Sequence, residues 1–150
     1  MHNKLEIAYQ GKRALTVYYL EEKNKTILLT FRKDFSTDFI SDILSSEGYR
    51  LIRANNFLSL IDSLERFHIH LIISEAKLPC ISMSAFIPFL RKRYPDIKVI
   101  IVMKEYSPLI ELSLRPHKLL YIMSWPVSNT LLKSVVAKGL EKSVKGLISA

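Results

Sequence analysis

From Lys25 onward the chain alternates short apolar runs with stretches whose apolar residues recur at three- and four-residue spacing. Thr26-Ile27-Leu28-Leu29-Thr30 is β-branched and aliphatic, as expected of a strand buried on both faces. Ser36 or Thr37 can cap a helix carrying Phe39, Ile40, Ile43 and Leu44 on its inner face, and Gly48 supplies a left-handed stop. Tyr49 to Arg53 reads as a second strand. Asn55 or Asn56 then caps a helix with Phe57, Leu60, Ile61 and Leu64 as its core stripe. Ile69 to Ser74 makes the third strand, and a third helix is predicted from about Ser84 to Arg93 with Phe86, Phe89 and Leu90 inward. Pro88 is expected near the first turn of that helix, where it bends or delays it. Lys98 to Met103 is the clearest strand of all. Ser107-Pro108 is a cap followed by proline at the first helical position, and Pro116 keeps the helix short. Leu119 to Met123 forms a fifth strand. Ser128 caps a last helix with Leu131, Leu132, Val135, Val136 and Leu140 inward and lysines outward. Repeated strand-then-helix units imply right-handed crossovers and a parallel sheet with helices on both faces. The predicted fold is α/β, a three-layer α/β/α sandwich around a five-stranded parallel sheet.

Residues 1–25 break this rhythm and read as an N-terminal extension, with the sandwich occupying 26–150. Leu5, Ile7 and Tyr9 alternate, as do Leu15, Val17 and Tyr19, with Gly11 between them, which predicts a hairpin. A helix from Ala14 to Glu22 is the alternative. Tyr9, Tyr18 and Tyr19 could mark a contact surface, although a cover over one sheet edge explains them as well.

Composition narrows the chemistry. A single cysteine, Cys80, excludes an internal disulfide and any multi-cysteine metal site. His68 and His70 share a strand face, but two ligands without a third make a weak metal site. With four glycines in the chain, no phosphate-cradling loop or dinucleotide fingerprint is present. No apolar run approaches the ~20 residues needed to span a bilayer. Glu6 and Gln10 interrupt the N-terminal apolar residues, so no signal peptide is expected, and a cytoplasmic location is the default. Lys and Arg number 22 against 14 Asp and Glu, a net charge of +8 spread along the chain. That balance suits acidic partners through long-range steering. No aromatic residues interleave with the basic clusters as they do in single-strand binders.

The candidate chemistry sits in Leu71-Ile72-Ile73-Ser74-Glu75-Ala76-Lys77-Leu78-Pro79. In an open parallel sheet, a side chain at the carboxyl end of a central strand faces the ligand crevice. Here that side chain is Glu75. Together with Arg93-Tyr94-Pro95-Asp96 before Val99-Ile100-Ile101-Val102, and with Trp125-Pro126 after strand five, this run resembles the receiver domain of bacterial two-component response regulators. The resemblance covers about residues 25 to 145 and implies the flavodoxin-like (CheY-like) receiver fold. It places Glu75 at the family's phosphoaccepting aspartate. The magnesium-binding acidic pair of the family falls on Phe31 and Arg32, its hydroxyl residue near Met103 or Lys104, and its lysine on Trp125. Phosphoryl transfer to a carboxylate needs a cation to bridge acceptor and phosphoryl oxygens. Magnesium asks for oxygen ligands in near-octahedral geometry. Phe31 supplies none, Arg32 repels the ion, and the extra methylene of Glu75 shifts the in-line geometry.

Three roles compete for Glu75: a solvated crevice carboxylate, an ion pair with Arg32, Lys33 or Lys104, or an imitation of the phosphorylated state. The charge pattern favours the ion pair. Trp125 either fills the volume left by the missing phosphate site or anchors a partner. The resemblance thus implies a non-catalytic pseudo-receiver in phosphorelay signalling that needs no metal or cofactor and acts through protein–protein interaction. Receivers commonly use the fourth helix, fifth strand and fifth helix for partners. In this chain that surface holds Arg115, His117, Lys118, Lys133 and Lys138, suited to an acidic protein or a second copy of the chain. Two other functions remain open: a nucleic-acid-associated basic regulator, and an atypical receiver phosphorylated on Glu75.

Overall fold

In the computed structural model, which describes residues 25–149, strands and helices alternate along the chain. β1 (Thr26–Thr30), α1 (Asp38–Ser46), β2 (Arg50–Ala54), α2 (Phe57–Arg66) and β3 (Leu71–Glu75) come first. A small antiparallel hairpin follows, β4 (Lys77–Leu78) and β5 (Ile81–Ser82), leading directly into α3 (Met83–Arg93). β6 (Lys98–Met103), α4 (Pro108–Leu114), a 3₁₀ turn (Arg115–His117), β7 (Tyr121–Ser124) and α5 (Asn129–Ser149) complete the fold. The main sheet has five strands, all parallel, in the order β2-β1-β3-β6-β7. The three-layer architecture expected from the sequence is therefore the one observed. The predicted N-terminal hairpin and its tyrosines lie outside the described residues.

Period-two alternation along the strands divides the interior into two cores. Ile27, Leu29, Leu71, Ile73, Ile100 and Val102 face α1 and α5, where they meet Ile40, Leu44, Leu132, Val136 and Leu140. Leu28, Ile72, Val99 and Ile101 face the other way, against Leu60, Leu64, Met83, Phe86, Ile87 and Leu90 of α2 and α3 and Leu114 of α4. β1, β3 and β6 are covered on both sides, which is why their sequences read as unbroken apolar runs.

The helix ends follow local chemistry. Asn56 and Ser59 form a reciprocal capping box at α2, and Ser82, Ser107 and Ser128 accept from backbone N–H groups three residues on. Thr37 occupies the cap position of α1 but makes no side-chain cap bond. Gly48 has φ 92°, the left-handed stop its type predicts. Two expected core residues are corrected: Phe39 is 45% and Phe89 52% exposed. In α3 the inward stripe is Met83, Phe86, Ile87 and Leu90, the i, i+3, i+4, i+7 set, which leaves Phe89 at its margin. Pro88 also differs from expectation. Because α3 starts at Met83, the proline falls inside the helix and neither delays its start nor ends it.

At the N-terminal pole of the sheet, the Thr26 N–H donates to His70 Nδ1 at 3.1 Å, and the His70 N–H donates to the Thr26 carbonyl at 2.9 Å. The His68 ring stacks on His70 with centroids 4.5 Å apart. Burial, aided by the charges of Lys25 and His68, lowers the His70 pKa from 6.5 to about 4. Below pH 6.5 the unfolded chain takes up a proton that the native ring refuses until about 4. Stability is therefore complete above that window and falls as the pH descends through it. Because the ring is half-exposed, the loss amounts to roughly 1 kcal/mol. Urea midpoints at the two ends of this window should differ more for the native chain than for His70→Asn, whose side chain does not titrate.

Candidate functional site

The crevice lies at the carboxyl ends of β1, β3 and β6, where the strand order reverses direction from β1 to β3. Glu75 is the last residue of β3, and only 4% of it is exposed. Arg32, two residues past β1, holds both of its carboxylate oxygens. The Arg32 backbone N–H donates to Oε2 at 2.5 Å, and Arg32 Nε donates to Oε1 at 3.1 Å. The side chain of Arg32 is 44% exposed and that of Glu75 6%, so the acid sits inside and the guanidinium at the rim. Arg32 Nε also lies 3.9 Å from the outlying carboxylate of Asp34. The other two cations considered as partners go elsewhere. Lys33 makes no ion pair among the described residues, and the Lys104 ammonium sits over the Phe35 ring, 5.9 Å from its centroid.

Beside this clasp is an aromatic cluster. Phe31, 4% exposed, packs on Phe35 with centroids 4.9 Å apart, and Phe35 meets Trp125 edge-on at 5.1 Å. Phe39 meets the same tryptophan edge-on at 6.3 Å. Trp125 precedes a cis peptide to Pro126, and its backbone N–H donates to the Met103 carbonyl at 2.8 Å. The partly buried indole packs against Phe35, Phe39 and the core on that face of the sheet. Met103 is buried on the opposite face of the sheet, among the α2 and α3 side chains. Such edge-on contacts add about 0.5–1.5 kcal/mol per pair beyond burial. Among the described residues, no group of three or more His, Cys, Asp or Glu side chains comes together as a metal site would require.

The β4–β5 hairpin forms one wall of the crevice. Its turn, Leu78-Pro79-Cys80-Ile81, puts Cys80 at φ 74°, a position that favours glycine. The Leu-Pro pair signals this turn in the sequence, but the two short strands do not show in any periodicity.

The predicted basic surface is distributed over the sheet's β7 edge. Arg115 opens the 3₁₀ turn before β7 and Lys118 follows it, and Lys133 and Lys138 lie on α5. Sequence reasoning missed the apolar residues beside them. Tyr106, Leu109 and Leu112 are 57%, 80% and 61% exposed around α4, and Tyr121 on β7 is 41% exposed. The short α4 has a single fully buried apolar side chain, Leu114, and its other leucines face outward.

Comparison with solved structures places the fold. The chain is similar to the signal receiver domain of an HD domain-containing protein from Pseudomonas fluorescens Pf-5, at 19% identity and a TM-score of 0.74, over 81% of this chain and 98% of that one. It is similar to the receiver domain of a putative Luxo repressor protein from Vibrio parahaemolyticus, at 20% identity and a TM-score of 0.74, over 85% and 98%. A CheY-like response regulator receiver domain protein from Methanospirillum hungatei JF-1 matches at 21% identity and a TM-score of 0.73, over 82% and 98%. No protein-family model matches the sequence, and no curated protein matches it. These likenesses establish the receiver fold. No helix among the described residues is long and apolar enough to cross a membrane.

Proposed function

We propose that this chain is a pseudo-receiver: a signalling module with the receiver fold that works by binding a protein partner and not by phosphorylation. The observation that carries this reading is the occupation of both Glu75 oxygens by Arg32. A phosphoacceptor must present a free oxygen in line with the donor and share a divalent cation with it. Here the guanidinium occupies the carboxylate, and the buried ring of Phe31 stands at the neighbouring position. The residues present do not fit a magnesium ion. No catalytic role is assigned to any of them.

The binding surface in this reading is the β7 edge. Exposed Leu109, Leu112 and Tyr121 provide the desolvated centre of an interface, and Arg115, Lys118, Lys133 and Lys138 a basic rim. With a chain charge of +8, an acidic protein is the partner it suits best. Affinity capture with matched baits tests this. Glu75→Gln is expected to retain the partner at native strength. Leu109→Asp and the Lys133→Glu/Lys138→Glu pair are each expected to weaken it about tenfold or more. The opposite ranking would sink the proposal. Light scattering on the isolated chain decides whether the partner is a second copy.

A further inference from the structure

We infer that the cavity between the loops entering α1 and α2 is a reversible site for a small aromatic carboxylate, with Lys33, Thr37 and Arg53 as its polar contacts. It lies on the β2 side of β1, whereas Glu75 lies on the β3 side, and it is independent of partner binding at the β7 edge. Its volume is about 370 Å³, ample for a small organic ligand. The floor is apolar, made by Leu29, Phe31, Phe35 and Ala54, all less than a tenth exposed. A bare inorganic anion would leave that floor uncovered. A flat ring bearing a carboxylate covers it and keeps the charge at the rim.

The rim carries Arg32, Lys33 and Arg53 and no acidic side chain. Arg32 is committed to Glu75 through Nε and its backbone N–H. Lys33 is exposed and makes no ion pair among the described residues. Arg53 is held from α1: its Nη2 donates to Ser41 Oγ at 2.6 Å, while its Nη1 stands 3.8 Å from the Asp38 carboxylate, beyond hydrogen-bond reach. The opposing charges, Asp34 and Asp38, are exposed to solvent and lie outside the lining. Thr37 points to a ligand independently of charge. It lines the cavity and is 9% exposed, yet its hydroxyl bonds to no described residue and does not cap α1. A buried hydroxyl left unpaired is costly, and a carboxylate oxygen in the cavity accepts from it.

Titration of the full chain with benzoate, acetate and inorganic phosphate, followed by ¹H–¹⁵N spectra at ionic strength held constant with chloride, tests the site. Benzoate is expected to give saturable shifts at the amides of residues 31–37 and 53–59. Acetate keeps the charge without the ring and should bind about tenfold more weakly or worse. Lys33→Gln removes an exposed cation, and Thr37→Val removes the hydroxyl while keeping the shape. Each should weaken benzoate binding about threefold or more. Absence of saturable benzoate shifts, acetate or phosphate binding as tightly as benzoate, or unchanged affinity in both variants overturns the assignment.

Discussion

Replacing Phe31 by aspartate is expected to destabilise the domain by about 4 kcal/mol without creating a metal site. The ring is almost fully buried against Phe35, within the core that includes Leu29 and Val127. Truncation of such a phenylalanine to alanine costs about 3–5 kcal/mol through lost transfer energy and the cavity left behind. Aspartate adds the burial of a carboxylate beside aromatic carbon. Phe31→Leu, which preserves most of the volume, should cost only about 1 kcal/mol. Urea unfolding of the native chain and these two variants reads the differences. A ligand that binds only the native state raises stability by mass action, so magnesium should leave the Phe31→Asp midpoint unmoved. A magnesium-dependent recovery would mean that the receiver's cation site survives in latent form.

The second large effect belongs to the clasp. Arg32→Met should lower stability by about 2 kcal/mol, because a buried carboxylate loses a charge-assisted hydrogen bond and keeps only the backbone N–H. An exposed pair would give about 0–1 kcal/mol. Combining Arg32→Met with Glu75→Leu should recover much of the loss, since neither charge is then left alone. A double-mutant cycle with a coupling energy of about 1–2 kcal/mol is the expected outcome. Coupling near zero would mean that the ion pair contributes nothing and Glu75 is held by the backbone alone.

The fold was legible because the strands of the main sheet have aliphatic centres and α2 to α5 begin at capping residues. Asn56, Ser82, Ser107 and Ser128 act at the helix starts as their types lead one to expect. Phe39 and Phe89 were misread for a physical reason. A helix facing a sheet buries only a limited arc, and aromatic residues at its margin count as apolar in any pattern while remaining half outside. The site was legible only in part. Charge alone offered Arg32, Lys33 and Lys104 to Glu75 on equal terms. The choice depends on where the chain runs after β1, which brings the Arg32 N–H to the carboxylate across 43 residues of sequence. Lys33 is carried into the following turn, and Lys104 is drawn over Phe35. No periodicity encodes those paths. The outward apolar residues of α4 went unnoticed because a seven-residue helix is too short for its apolar positions to define one inner face.

In the proposed reading, Glu75 is a structural partner of Arg32 and not a phosphoacceptor. Incubating the chain with a small acyl phosphate and magnesium, then measuring its intact mass, tests this directly. An unchanged mass is expected for the native chain and for Glu75→Gln alike. A gain of one phosphoryl group in the native chain that disappears in Glu75→Gln would contradict it.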